Sequence, residues 1–314
     1  MEVTYYEDPA CIWCWAFEPV ATRLAFEFRQ TIKLRHVMGG LRDQPPVDVD
    51  FTVRQWQKAS EISGMPFDTR TWQSHVNQTT FPACRAVKGA ALVSPARAAR
   101  LARRLSEAYF TERIPIDNLD AILQLASEVG FNPDVLKENI ASGRAEEFFT
   151  RDRLEASQHG FGFPTTIIST IKTESAVLLQ GTVEYAVILA ALKSLNTPKS
   201  KRQRFQDVPE DWKDLFKIHP RLTSTEIQHV TGLSADRVAA RASQLGLHWT
   251  GIFYQREKTD HDTARAGLEA PPKLPGEHEP YGDEPASIGR KLEETDTLSG
   301  DLDTEGIRET SAAD

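Results

Sequence analysis

The sequence predicts an α/β fold interrupted by an inserted α-helical subdomain, and three observations support this prediction. A short apolar strand, Val3–Tyr6, is followed by Cys11 and Cys14 at the start of a helix. A second strand ends at Gly39, so strand, helix and strand form a βαβ unit with the right-handed crossover such units require. Far downstream, Pro164 is followed at once by β-branched residues that resume the sheet.

The cysteine pair is the most informative motif. A Cys-x-x-Cys that follows a strand and opens a helix is the arrangement of a thioredoxin-like redox site. Residues three apart lie on one face of the first turn, so the two sulfurs can close a small disulfide ring. The unpaired backbone N–H groups there favour a thiolate. The first cysteine of such a pair is usually the exposed one, so we expect Cys11 to be the nucleophile and Cys14 the resolving thiol.

A structural zinc site and a chance occurrence are the alternatives. The chain holds only one further cysteine, Cys84, so a four-cysteine zinc site is excluded. A mixed site with histidine stays open, although no histidine lies at a short metal-ligand spacing from the pair. The strand before, the helix after and the downstream proline favour redox chemistry, with no metal and no bound cofactor. Cys84 is interpreted as a buried small apolar residue.

Composition indicates a soluble cytoplasmic protein. The 314 residues include 40% hydrophobic residues and three cysteines, too few for a secreted disulfide scaffold. No signal peptide pattern and no run of about 18 apolar residues is seen. The net charge of −8 is uneven, because residues 260–314 carry 15 acidic and 5 basic side chains, a net of −10. The rest of the chain is therefore close to neutral.

The first helix is expected to run to about Gln30, with a kink at Pro19. The alternation in 31–38 predicts the second strand. Residues from about 52 to 160 form the helical insertion, with helices expected over 84–93, 95–109, 118–129 and 133–141. The helix over 95–109 carries four arginines at 97, 100, 103 and 104. We interpret them as a solvated helix face rather than a nucleic-acid site.

The frame resumes after the insertion. The order of elements predicts a cis peptide bond at Pro164 despite the low frequency of such bonds. A strand over 176–179 and a helix over 183–195 then close a domain that spans residues 1–196.

A smaller unit is predicted at the C-terminal side. A basic linker over 197–208 precedes a unit over 209–258, in which Thr223 opens a capping box with Glu226. Helix, glycine turn, helix and a strand over 247–254 resemble a helix-turn-helix. Arg237 and Arg241 could meet phosphates, but the same arrangement often serves as a docking module, so nucleic-acid binding is not expected. Residues 259–314 are predicted to be a disordered acidic tail with a solubilising role.

Read as one string, Asp8-Pro9-Ala10-Cys11-Ile12-Trp13-Cys14-Trp15-Ala16-Phe17-Glu18-Pro19-Val20 resembles the DsbA-type thioredoxin family. Within it, the chain is similar to the SpxH branch and to FrnE-like dithiol isomerases, with further matches at 34–40, 81–88 and 105–110. The resemblance implies a thioredoxin fold with a helical insertion, Cys11 and Cys14 as the redox pair, and Pro164 as the cis proline beside it. It also implies that the backbone of Phe163 pairs with an incoming peptide.

Two features depart from the best-known members. Thioredoxin and DsbA place a buried acid six residues before the first cysteine, where this chain has Tyr5, with Glu7 and Asp8 nearer the pair. Proton relay through a fixed carboxylate at that position is therefore not expected, and a solvent base could serve instead. Ile12 and Trp13 lie between the cysteines, and no histidine cation there stabilises a thiolate, which argues against a very strong oxidant. Trp13 is expected to contact a protein substrate, whereas Trp15 is expected to pack in the core.

Two functions follow as hypotheses. The first is a cytoplasmic dithiol–disulfide oxidoreductase or isomerase that acts on protein substrates through Cys11, Cys14 and Pro164. The alternative is an SpxH-like adaptor that presents a regulator to the ClpXP protease and uses the thiol pair as a redox sensor. The expected partners are thiol- or disulfide-bearing proteins and, in the second case, a protease, without membrane association.

Overall fold

A four-stranded mixed sheet forms the frame. The structure is a computed structural model that describes residues 1–160, 162–170, 175–195 and 202–256. The strands β1 (Glu2–Glu7), β2 (Lys33–Met38), β3 (Thr165–Ser169) and β4 (Ala176–Gln180) lie in the order β2-β1-β3-β4. β1 and β2 are parallel, whereas β3 is antiparallel to both β1 and β4. The predicted βαβ opening and the return of the chain after Pro164 are both present.

Helix α1 (Ile12–Glu27), which starts directly after Cys11, is the central element of the molecule. Its Phe17 packs against the sheet in a core shared with α9 (Tyr185–Ser194). Trp15 lies in the core of the helical insertion, and Phe26 lies in the core of the C-terminal unit. α1 thus carries apolar residues on more than one face and contributes to three separate cores.

The insertion consists of seven helices. These are α2 (Val49–Ser63), α3 (Thr71–Ser74), α4 (Phe81–Ala91), α5 (Pro95–Thr111), α6 (Leu119–Glu128), α7 (Pro133–Ala141) and α8 (Arg144–Ser157). They enclose the largest core, in which Trp56, Trp72, Tyr109 and Phe110 contact one another edge to face or tilted. The four helices predicted from the sequence lie within two or three residues of their expected bounds. No helix in the described ranges combines the length and apolar character needed to cross a membrane.

The C-terminal unit contains α10 (Pro209–Ile218), β5 (Arg221–Thr223), α11 (Ser224–Thr231), α12 (Ala235–Gln244), β6 (Leu247–Trp249) and β7 (Phe253–Arg256). The capping box of Thr223 and Glu226 is formed as predicted. One strand was expected over 247–254, and that prediction is wrong. Gly251, with φ of 95°, turns the chain into a hairpin, so β6 and β7 are separate and pair antiparallel.

This unit packs on the frame. Phe253 of β7 lies in the core of the insertion, while Phe26 of α1 lies in the core of the C-terminal unit. The described part of the predicted linker is also attached to α1, since the backbone N–H of Gln203 donates to the carbonyl of Glu27 at 2.8 Å. The remaining linker residues and the acidic tail over 259–314 lie outside the described residues. The domain boundaries therefore stay a prediction.

Candidate functional site

Cys11 is the N-cap residue of α1, where the chain leaves β1. Its Sγ accepts a hydrogen bond from the backbone N–H of Cys14 at 3.1 Å. The backbone N–H of Cys11 in turn donates to the carbonyl of Asp8 at 2.9 Å, which fixes the turn before the helix. Backbone donors and the positive end of the helix dipole at this position stabilise a negatively charged sulfur. The three cysteines are all free thiols in this structure.

The exposure of the two thiols is the reverse of what the sequence predicts. Cys11 is only 3% exposed, whereas Cys14 is half-buried. The Cys11 sulfur is held against the first turn of α1 by the hydrogen bond from the Cys14 backbone. Burial, followed by the hydrogen bond with Cys11 and the nearby charge of Glu7, raises the pKa of the Cys14 thiol well above its ordinary value. The thiol that is easier to reach is therefore held in its neutral form.

Asp8 is a buried carboxylate that fixes the loop carrying Cys11. Its two oxygens accept hydrogen bonds from the backbone of Ala10 and Leu41 at 2.7 Å each, from Thr80 Oγ1 at 2.6 Å and from Cys84 Sγ at 3.3 Å. Burial raises the pKa of Asp8, although these hydrogen bonds oppose the rise. Cys84 is fully buried, as predicted, but it also donates to a carboxylate. The interpretation of Cys84 as a merely apolar residue is thus incomplete.

Pro164 and Phe163 lie at the same edge of the sheet as the cysteine loop. The Phe163–Pro164 peptide bond is cis, as the order of elements predicts. Tyr6 near the end of β1 pairs with Thr165 at the start of β3. Pro164, the residue before Thr165, therefore lies beside the end of β1, where the chain turns toward Cys11. The Phe163 ring covers Gly39 so closely that a Cβ there would lie 1.9 Å from the ring. Phe163 and Trp13, the two residues predicted to contact a substrate, are both half-buried.

A polar cluster lies between the sheet and α1, behind the cysteine pair. His36 Nδ1 is 2.7 Å from Glu7 Oε1. The charge of Glu7 also contributes to the raised pKa of Cys14. Burial acts to lower the pKa of His36, but the Glu7 carboxylate outweighs it and the pKa is raised. Tyr5 is buried here, and its hydroxyl has no hydrogen-bond partner among the described residues. Glu7, which the sequence places nearer the pair than Tyr5, is thus a carboxylate whose charge acts on Cys14.

Glu18 extends this cluster one turn beyond Cys14. Burial raises the pKa of Glu18 to about 7, with the cation of Arg103 acting in the opposite direction. His219 of the C-terminal unit lies 3.8 Å from Glu18, and burial lowers the pKa of this histidine. Sequence reasoning missed both Glu18 and His36 as members of the site. The available signal was spacing, since Glu18 follows Cys14 by four residues and shares its face of α1.

Two of the four arginines of α5, Arg103 and Arg104, are not part of the solvated face that the sequence suggested. Arg103 is buried and contacts carboxylates of Glu18, Glu107 and Glu226 at 3.0 Å each. Its guanidinium also lies over the Trp15 ring, 4.5 Å from the ring centroid. Arg104 is likewise buried and pairs with two glutamates, Glu112 and Glu128. Paired carboxylates from α1 and the C-terminal unit explain the burial, and they are distant in sequence, so periodicity gave no sign of them.

Trp15 and Arg241, two further residues considered from the sequence, both have partners within the protein. Trp15 is 1% exposed, stacks on Phe110 and donates from its indole N–H to the carbonyl of Pro66, which confirms its packing role. Arg241 pairs with Asp207 at 3.2 Å instead of being free for phosphates. Within the described ranges, no three histidine, cysteine or acidic side chains are grouped so as to hold a metal ion.

Comparison with known proteins identifies the family and the fold of this chain. The family profile described as thioredoxin matches residues 5–190, more than half of the chain. The ClpXP adapter protein SpxH of Halalkalibacterium halodurans is 22% identical over 258 residues, which cover 79% of this chain and 83% of the relative. A candidate protein disulfide isomerase from Nitrosomonas europaea superposes with a TM-score of 0.55 at 20% identity, covering 62% of this chain and 96% of the other.

A probable DsbA oxidoreductase from Streptomyces coelicolor superposes with a TM-score of 0.50 at 16% identity, over 66% of this chain and 94% of the other. The resemblance read from the sequence, to DsbA-type proteins and to SpxH, is thus confirmed, as is the predicted fold class. At these identities the structural likeness speaks for the fold alone.

Proposed function

Because this chain belongs to the thioredoxin family, we propose that it is a cytoplasmic dithiol–disulfide oxidoreductase or isomerase that acts on protein substrates through Cys11 and Cys14. The observation that carries the proposal is the position of Cys11 as N-cap of α1, with its sulfur accepting from the Cys14 N–H at 3.1 Å. The cis Phe163–Pro164 bond at the same sheet edge supports it.

The chemistry runs through a mixed disulfide. The Cys11 thiolate attacks one sulfur of a substrate disulfide, a Cys11–substrate bond forms, and the other substrate sulfur leaves as a thiolate. Cys14 then loses its proton and attacks Cys11, which releases the second substrate sulfur and leaves Cys11 and Cys14 joined. The pair is oxidised by two electrons and the substrate is reduced by two. A thiol reductant must restore the pair. In isomerisation, a substrate thiolate displaces Cys11 instead.

Two effects compete in deciding which cysteine attacks first. Exposure favours Cys14, which is the more accessible thiol. Charge favours Cys11, because burial raises the pKa of Cys14 and keeps it protonated, while the start of α1 stabilises a thiolate at Cys11. Since the thiolate is the reactive form, Cys11 remains the proposed nucleophile. Because Cys11 is only 3% exposed, the groups that shield its sulfur must move when a substrate binds.

The Glu7–His36 pair is the proposed destination of the Cys14 proton. The Glu7 carboxylate acts on Cys14 electrostatically and is held by His36 at 2.7 Å. A carboxylate that acts on the resolving cysteine thus takes the place of the acid that Tyr5 does not provide.

Reduction of insulin disulfides by a thiol reductant, with the full chain as catalyst, tests the enzyme proposal. Cys11→Ser should abolish catalysis, whereas Cys84→Ser, the matched control, should retain most of it. Cys14→Ala should accumulate mixed disulfides with proteins of a cell extract, detectable on non-reducing gels and reversed by reductant. Trapping through Cys14 in a Cys11→Ser protein, or no catalysis and no trapping at all, would contradict the assignment.

An adaptor function is the second candidate. It is favoured by the similarity to the ClpXP adapter protein SpxH over 79% of this chain and 83% of the relative. In this case the chain presents a regulator to the ClpXP protease, and the thiol pair senses oxidation. Reconstituted degradation of a candidate client, with and without this chain, tests it. Stimulation that survives Cys11→Ser, together with absent insulin reduction, would replace the enzyme proposal with the adaptor.

A further inference from the structure

A groove in the C-terminal unit has an apolar floor and a positively charged rim. Its volume is about 430 Å³, and its floor is formed by Trp212, Phe216, Leu245 and Leu247. Lys213 and Arg256 stand at the rim, and both are exposed. Neither cation forms an ion pair with another residue of the described ranges. Aromatic floors with basic rims fit amphipathic anionic peptides.

The β6–β7 hairpin continues this surface. Leu247 is paired with Arg256, and Trp249 with Tyr254, so all four side chains lie on the same face of the hairpin. Trp249 is 45% exposed and contacts the Tyr254 ring at a centroid distance of 4.5 Å. A large, exposed aromatic side chain beside an apolar groove is typical of an interaction surface. We call the groove together with Trp249 the hairpin groove.

The chain itself supplies a complementary segment. It leaves the described structure directly after Arg256, at the rim of the hairpin groove. The segment over 292–307 carries six acidic residues, four aliphatic residues (Leu292, Leu298, Leu302 and Ile307), and no lysine or arginine. We propose that this segment binds in the hairpin groove, with its aliphatic side chains on the floor and its carboxylates at Lys213 and Arg256.

The tether makes a weak contact sufficient. Between Arg256 and Leu292 there are 35 residues, which extend to at most ~120 Å, so the connection easily reaches the groove. A covalent connection of this kind gives an effective concentration in the millimolar range. Exposed ion pairs contribute little each, and they weaken as salt increases. The contact therefore depends on both rim cations and on ionic strength. It is independent of the thiol chemistry of Cys11 and Cys14.

Photo-crosslinking in the full chain tests the proposal. A benzoylphenylalanine probe replaces Leu298, and a control probe replaces Leu274, which lies outside the proposed segment. We expect adducts from position 298 to peptides over 209–218 and 245–256, and far fewer from position 274. Lys213→Glu combined with Arg256→Glu should lower the yield about tenfold, as expected for two exposed ion pairs turned repulsive. Lys217→Glu, an exposed control on the same helix, should leave the yield unchanged.

Three outcomes would overturn the proposal: adducts that map elsewhere, a yield indifferent to both rim substitutions, and adducts that join two chains in a mixture of isotopically light and heavy protein. Should the charge-reversed protein be less folded by circular dichroism, the neutral pair Lys213→Gln and Arg256→Gln replaces it. An intermediate yield is then expected, and a wild-type yield contradicts the contact.

Discussion

Replacing Arg103 with methionine tests how the C-terminal unit is held on α1. Arg103 is 6% exposed, and its guanidinium lies at 3.0 Å from each of three carboxylates, Glu18, Glu107 and Glu226. Removing one partner of a buried ionic group costs about 3–5 kcal/mol, because the opposite charges stay buried without compensation. Methionine keeps most of the volume over Trp15, so the lost charge dominates the effect.

Urea unfolding followed by circular dichroism measures this free energy. With a slope of about 3 kcal/mol per molar urea, a loss of about 4 kcal/mol lowers the midpoint by about 1.3 M. The matched control is Arg151→Met, which removes an arginine from an ion pair with Glu147 whose side chains are 63% and 59% exposed. That control should change stability by less than about 0.5 kcal/mol.

Two further arms sharpen the Arg103 prediction. The double variant Arg103→Met with Glu226→Gln should recover part of the loss, because one uncompensated carboxylate is gone. The loss should also be smaller at pH 5 than at pH 8, because the pKa of Glu18 rises further once the cation that lowers it is absent. If Arg103→Met costs no more than Arg151→Met at pH 8, the buried ionic network does not hold the unit, and the reasoning fails.

Three further predictions concern the site. Glu18 has a folded pKa of about 7 against an ordinary 4.5. Its contribution of about 3 kcal/mol to the free energy of unfolding is therefore present below pH 4.5 and lost as pH rises through 7. Glu18→Gln should flatten the pH dependence of unfolding over this range, and an unchanged curve would contradict the burial effect. In a Cys11→Ser protein, Glu7→Gln should lower the apparent pKa of Cys14 in iodoacetamide alkylation, because the carboxylate disfavours the thiolate; an equal or higher pKa would refute this. Gly39→Ala should destabilise the protein by about 1–3 kcal/mol because its Cβ meets the Phe163 ring; adding Phe163→Ala should relieve the loss, and a double variant as unstable as the single one would show that the ring is not the cause.

The elements near the cysteines could be predicted because their signals are local. Cys11 and Cys14 mark the start of α1, and the capping box marks the start of α11, each within four residues of sequence. The hairpin of β6 and β7 was missed because the turn depends on Gly251, which also fits inside a strand pattern.

The buried charges could not be predicted in the same way. Arg103 has the composition and spacing of a solvent-facing residue, and its burial depends on Glu18 and Glu226, 85 residues before it and 123 after it. Likewise, His36 approaches Glu7 only because β1 and β2 are adjacent and parallel. Such contacts depend on which elements lie side by side in the folded chain. The residue pattern within a single helix or strand does not indicate this.

The exchange of phenylalanines between the frame and the C-terminal unit has a practical consequence for dissecting this protein. Phe26 of α1 is fully buried in the core of the C-terminal unit, and Phe253 of that unit is buried in the core of the insertion. Cutting the chain before α10 would expose the first ring to water and leave a void where the second was. A truncated protein would therefore combine lost contacts with a damaged α1, the helix that begins at Cys11. Roles of the two parts are better separated by point substitutions on their outer surfaces than by deletion.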